Sequence, residues 1–218
     1  MMYTKVRKIV SVLALFAPLA FGSCFGFDAE IEPGENGTVL NLEYRVSSRF
    51  EDTGKLDGNE QWPIFPAGKR DFERTAARLK GTRLKSFSSK NRGDDLVTRV
   101  SLEFDDMETL VSFLDAAGED VSYKTENGKN VLSMTLHRQG GASSGGAEYR
   151  SFVTAAFEGY AAAISLKSPG AAVVSLGGGG NRIDIPGAAV AGGGRASFSM
   201  PMGDLLSFDG PVTLEFTW

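Results

Sequence analysis

The 218-residue chain carries 23 basic and 27 acidic residues, one histidine and one cysteine, for a net charge of −4. A mildly acidic composition argues against nucleic-acid binding, and a single cysteine excludes an internal disulfide. One histidine with no second thiol offers no ordinary zinc ligand set, so no metal or other cofactor is expected and burial must hold the fold.

The chain begins with Lys5, Arg7 and Lys8, then an apolar run from Ile9 to Gly22, then Ser23 and Cys24. A charged segment followed by an apolar one is the pattern of a secretory signal. The run is too short for a transmembrane helix, which needs about 20 apolar residues. The stretch LALFAPLAFGSC resembles the lipobox of bacterial lipoproteins, with Phe21 where leucine is usual. That resemblance implies loss of residues 1–23, a diacylglyceryl group on Cys24, and a domain over 24–218 tethered in the cell envelope. Phe25, not aspartate, follows the cysteine, which favours the outer membrane over the inner. An ordinary signal peptide cut after Gly22 is the competing reading; it would leave Cys24 as an unpaired thiol in an oxidising compartment. Removing the leader takes three bases and no acids, leaving 20 against 27, a net of −7.

Next comes DAEIE as a first strand, a turn over Pro33–Gly37, and TVLNLEYRVS. In the latter, Leu40, Leu42, Tyr44 and Val46 alternate with Asn41, Glu43 and Arg45, the period of a strand with one buried face. A Gly/Asp/Pro-rich loop from Asp52 to Gly68 carries Trp62 and Phe65. DFERTAARLKG reads as a helix ended by Gly81. The strands TRLKSFS and LVTRVSLEF follow, joined by a turn over Lys90–Asp94. DMETLVSFLDAAG is a second helix with acids in its first turn, where the helix dipole favours them. VSYKT and NVLSMTLH form a hairpin around Asn127-Gly128, a strong turn signal. The stretch RQGGASSGGA (138–147) reads as a linker and as the one candidate internal boundary of an otherwise single domain. A third helix over Glu148–Glu158 presents Tyr149, Phe152, Val153, Ala156 and Phe157 at helical spacing. AAAISLK, AAVVSL, RIDIPG, RASFSM and PVTLEFTW then read as strands between glycine runs. The rhythm predicts an α+β domain: an antiparallel sheet built from hairpins, covered by about three amphipathic helices.

Catalytic patterns are sparse. His137 follows an alternating strand on its solvent side, and no GxSxG elbow accompanies it. The glycine runs lead into strands and lack the lysine of a phosphate loop. Seven acids lie between Glu103 and Asp120, which read first as a solvated face. Between Lys69 and Arg92 there are nine bases and two acids. Lys69, Arg70, Arg74, Arg78, Lys80, Arg83 and Lys85 are thus candidates for contact with anionic headgroups, each base adding about 1 kcal/mol near such a surface. Pairing with the acidic stretch is the alternative. Trp62, Phe65, Phe152 and Phe157 are candidate lining for an apolar pocket. The alternating end Val212, Leu214, Phe216 and Trp218 reads as a strand of the domain's own sheet rather than of a membrane barrel.

The stretches GTVLNLEYRVS and LVTRVSLEFDDMETLVSFL resemble the LppM-like group of bacterial lipoproteins. That group pairs a hairpin-rich α+β domain with a lipidated cysteine and has been linked to lipid binding. Its members carry a C-terminal hydrophobic span, which is not found here through Trp218. The first expectation is therefore a membrane-anchored envelope lipoprotein, not an enzyme, that binds or scaffolds. Its partners would be the membrane, through the diacylglyceryl group, and a lipid or envelope protein. A binder of lipid or amphiphile in a sheet–helix pocket comes second, and an envelope hydrolase using the acidic residues third.

Overall fold

The computed structural model describes residues 25–47, 68–115, 118–137, 142–168, 173–178, 181–182, 189–208 and 210–218. Strands dominate. β1 (Phe25–Gly34) and β2 (Gly37–Ser47) form the first hairpin, in register from Phe25↔Val46 to Gly34↔Gly37. Gly37 sits at φ 132°, and a Cβ there would collide with the carbonyl oxygen of Phe104. Only glycine closes this turn against the neighbouring strand.

Helix α1 (Lys69–Arg78) follows, its first turn fixed by Asp71, whose carboxylate accepts the Gly68 N–H at 3.3 Å. It buries a single residue, Phe72, whose ring lies 6.0 Å from that of Phe87. β3 (Thr82–Arg92) and β4 (Asp95–Phe104) make the second hairpin, with a turn of Gly93 and Asp94 alone, shorter than the alternation implied. Helix α2 (Met107–Leu114) is capped by Asp106, which accepts the Thr109 N–H at 2.7 Å and its hydroxyl at 2.6 Å. Those bonds, hydroxyl first, hold the Asp106 carboxyl below its usual range. Asp115 ends the helix. Buried at 4 % exposure, it accepts backbone N–H bonds from Gly118, Asp120 and Val121 and so delivers the chain into β5.

β5 (Val121–Glu126) and β6 (Lys129–His137) form the third hairpin. Asn127 and Gly128 both have positive φ, 52° and 75°, the two-residue turn whose twist matches the strands. Helix α3 (Ala142–Ala156) begins inside the glycine-rich stretch that reads as a linker. β7 (Ala161–Lys167), β8 (Val173–Gly178), β9 (Asn181–Arg182), β10 (Ala189–Gly192), β11 (Arg195–Pro201), the short helix α4 (Met202–Leu206) and β12 (Val212–Thr217) complete the chain. Neither β10 nor α4 is legible as a separate element in the sequence.

The single sheet expected from the hairpins is two. One has seven strands in the order β10-β11-β7-β1-β2-β4-β3, the other five in the order β5-β6-β12-β8-β9. Among the described residues every pairing is antiparallel except β1 with β7. The chain end closes the second sheet: Asn130 and Trp218 exchange both backbone bonds, at 2.8 and 3.1 Å, and the Trp218 ring stacks on Tyr123. One apolar core joins both sheets and the helices, from Ile31, Leu40, Leu102 and Phe104 to Leu132, Leu214 and Phe216, all at 2 % exposure or less.

Candidate functional site

Several residues singled out from sequence, Cys24, Trp62 and Phe65 together with the leader 1–23, lie outside the described residues. The two remaining aromatics part company. Phe157 is buried in the core, whereas Phe152 is 65 % exposed. Val153 is the buried residue of α3's last turns and Phe157 follows just past the helix end, whereas Phe152, beside Val153, points the other way. The two do not line one pocket.

The basic segment is divided as well. On α1, Lys69 pairs with Glu73 at 3.4 Å and Arg74 with Asp71 at 3.9 Å, both exposed. Arg70, Arg78 and Lys80 have no carboxylate partner among the described residues. On β3, Arg83 donates to Glu103 and Asp105, each at 2.8 Å, and Lys85 reaches Glu103 at 2.7 Å. The strand part of the basic run thus meets the start of the acidic run, because β3 and β4 are partners. Lys85 first and then Arg83 hold the Glu103 carboxyl below its usual range.

Geometry directs attention to the face of the seven-stranded sheet that turns away from the core. Three rows of side chains cross it. The first runs Ala163, Asp28, Glu43, Arg99, Ser88. The second runs Ser197, Ser165, Glu30, Asn41, Ser101, Ser86. The third brings Lys167 to Glu32 at 3.1 Å and Arg83 to Glu103. Most charges are matched. Arg195 reaches Glu30 at 3.1 Å and donates to Ser165 at 3.1 Å. Ser101 donates to Asn41 at 2.8 Å, and Asn41 donates on to Glu32 at 3.2 Å. Glu43 is shared by two guanidiniums, Arg99 Nε at 2.6 Å and Arg45 at 3.0 Å. Burial raises its carboxyl pKa, but bonds from Arg99 and then Arg45 outweigh that and leave it lowered.

Among the described residues, two hollows open on this face. One, about 200 Å³, lies over Gly26, Asp28, Ala161 and Ala163 with Tyr160 as a wall. The other, about 380 Å³, lies over Glu30, Asn41, Ser101 and Arg195. Asp28 and Glu43 line both. Tyr160 is held in place by donating to Asp95 at 2.6 Å. Sequence alternation already marks Glu43, Arg45 and Arg99 as outward, but nothing local sets Asp28 beside them; that takes the strand order β1-β2-β4. Among the described residues, no group of His, Cys, Asp and Glu is placed to hold a metal ion, and no helix is long and apolar enough to cross a membrane. Compared with known proteins, the chain matches no family model, no curated protein and no solved structure.

Proposed function

We propose that the protein is a lipid-anchored component of the bacterial cell envelope, moored through Cys24, that works by binding rather than by catalysis. The observation carrying this is the start of β1 at Phe25, the residue bonded to Cys24. Phe25 is paired with Val46 and only 5 % exposed. Acyl chains on Cys24 would therefore be attached with no tether, and the bilayer would lie against the Phe25 end of the seven-stranded sheet.

That placement ranks the basic residues. The row containing Phe25 continues through Val46 and Leu96 to Asn91, so Lys90 and Arg92 flank the anchored end. Arg83 shares its row with Glu103, Val39 and Glu32, seven residues up β1 from Phe25. At about 3.3 Å per residue it stands roughly 23 Å away. Headgroup contact thus falls to Lys90 and Arg92, while Arg83 and Lys85 serve the sheet. A binding role is supported by the outer sheet face, which the described residues leave uncovered and where ion pairs and hydroxyls stand pre-arranged around two hollows.

The test is metabolic labelling with a fatty-acid analogue, followed by detergent-phase partition, of wild type and Cys24→Ala. Label and partition present in the first and lost in the second are the expected results. A native protein whose mass shows an unmodified thiol would overturn the reading.

A further inference from the structure

The outward row of the large sheet holds an imbalance that ordinary surface charge does not explain. Asp28 and Glu43 stand directly opposite on β1 and β2, and like charges so placed repel. Glu43 is answered twice, by Arg99 and Arg45, whereas Asp28 has no hydrogen bond or ion pair among the described residues. Among the described residues, one carboxylate serves two cations and its neighbour serves none. Donors also remain. Among the described residues Arg99 donates only through Nε, and Arg45 only through Nε and Nη2, of the five N–H groups each guanidinium carries.

We infer that this cluster is a receptor for a zwitterion, taking a primary ammonium on Asp28 and a phosphate or carboxylate on Arg99 and Arg45. Asp28, Glu43 and Arg99 are consecutive across three strands, about 4.8 Å per step. The two poles are thus no more than about 10 Å apart at the backbone, and closer once the long arginine side chains lean in. Small residues give the ammonium room. Gly26, Ala161 and Ala163 leave the 200 Å³ hollow beside Asp28, with Tyr160 also in its lining. The acceptor on Asp28 favours an ammonium with N–H groups over a quaternary one. Asp28 is three residues from Phe25, the first residue of β1, about 10 Å along the strand. On the anchoring proposed above, a phospholipid headgroup and a free ethanolamine phosphate would both come within reach.

The full-length protein carrying Cys24→Ser, in detergent, is titrated calorimetrically with O-phosphoethanolamine, phosphocholine and inorganic phosphate. O-phosphoethanolamine should bind about tenfold tighter than the other two, the worth of one charge-assisted contact. Asp28→Asn should erase that preference, Arg99→Gln should weaken phosphoethanolamine and phosphate alike, and Lys124→Gln on the other sheet should change nothing. Asp28 has no partner to lose among the described residues, so Asp28→Asn carries the test even where Arg99→Gln does not fold. An undiminished preference in Asp28→Asn, or no preference in the parent, would overturn the proposal. In a second arm, vesicles of phosphatidylethanolamine with phosphatidylglycerol are compared with vesicles in which phosphatidylcholine replaces the ethanolamine lipid. Preferential recruitment to the first identifies the headgroup as the source; soluble binding without it identifies the free zwitterion; neither result overturns the site. Because the Cys24→Ser chain cannot be acylated, failure here is distinct from failure of the anchor.

Discussion

The two faces of the seven-stranded sheet are made by the same strands and do opposite things. On β1, Phe27 and Ile31 point inward and Asp28, Glu30 and Glu32 outward. On β2, Leu40, Leu42 and Tyr44 oppose Asn41, Glu43 and Arg45, and on β4, Val100, Leu102 and Phe104 oppose Arg99, Ser101 and Glu103. The inner residues merge into the core that also holds the second sheet. The outer ones form ion pairs whose members remain partly open to water, such as Lys167 and Glu32 at 57 % and 33 % side-chain exposure. Exposed pairs of this kind contribute little to stability because water and salt screen them. The inner face sets the fold, and the outer face adds little to its stability.

Removing an inner anchor should produce the largest effect. Phe104 is fully buried, with its ring 5.2 Å from that of Phe113 on α2. Phe104→Ala should cost about 3–5 kcal/mol, since it leaves a cavity between sheet and helix. Urea denaturation reads this as a lower midpoint with an unchanged slope; a loss below about 1 kcal/mol would mean that this face is not the structural one.

A polar group on the same face sharpens the contrast. Tyr44 is 2 % exposed, and its phenol is pushed up to about 12, mainly by burial and also by the charge of Asp71, against a bond to Thr98 that acts the other way. Thr98 is itself buried and bonds Ser89 at 2.9 Å. In the unfolded chain a tyrosine titrates near pH 10. The folded state therefore holds the proton more tightly. Its contribution is intact below pH 10 and is lost as the pH rises from about 10 to about 12, by roughly 2–3 kcal/mol at about 1.4 kcal/mol per unit. Tyr44→Phe should flatten that step while costing about 1 kcal/mol at neutral pH, where Thr98 loses a partner. Denaturation midpoints of both proteins from pH 9 to pH 12 measure it; parallel alkaline losses would remove Tyr44 as the cause.

The inner face was largely legible in advance because it is a local property. Alternation in TVLNLEYRVS and LVTRVSLEF, and the Asn127-Gly128 turn, are enough for three hairpins. The split into two sheets was not, because it depends on β12 choosing β6 and β8 as neighbours, a pairing made across the rest of the chain. Glycines at 145 and 146 hid the start of α3, since intrinsic propensity disfavours them in a helix. The basic run from Lys69 to Lys85 divides in two, because Lys69 and Arg74 pair within α1 while Arg83 and Lys85 of β3 pair with Glu103 on β4. The cluster at Asp28 needed strand order, which no spacing in the sequence encodes.

The smallest effect belongs to the outer face, and it decides whether the contrast holds. Lys167→Gln removes the 3.1 Å pair with Glu32 without touching the core. The expected loss is under about 0.5 kcal/mol at low salt. It should vanish near 1 M salt, where the screening length of about 3 Å is as short as the pair itself. Denaturation curves of both proteins at the two salt concentrations give the comparison. A loss above about 1 kcal/mol that survives the salt would mean the outer mesh carries the fold, and Asp28, without a partner among the described residues, would then be one defect in a structural lattice. A negligible, screened loss leaves the outer face with no structural reason for its arrangement. The two-for-one pairing at Glu43, beside an Asp28 with no partner among the described residues, would then favour the proposed ligand.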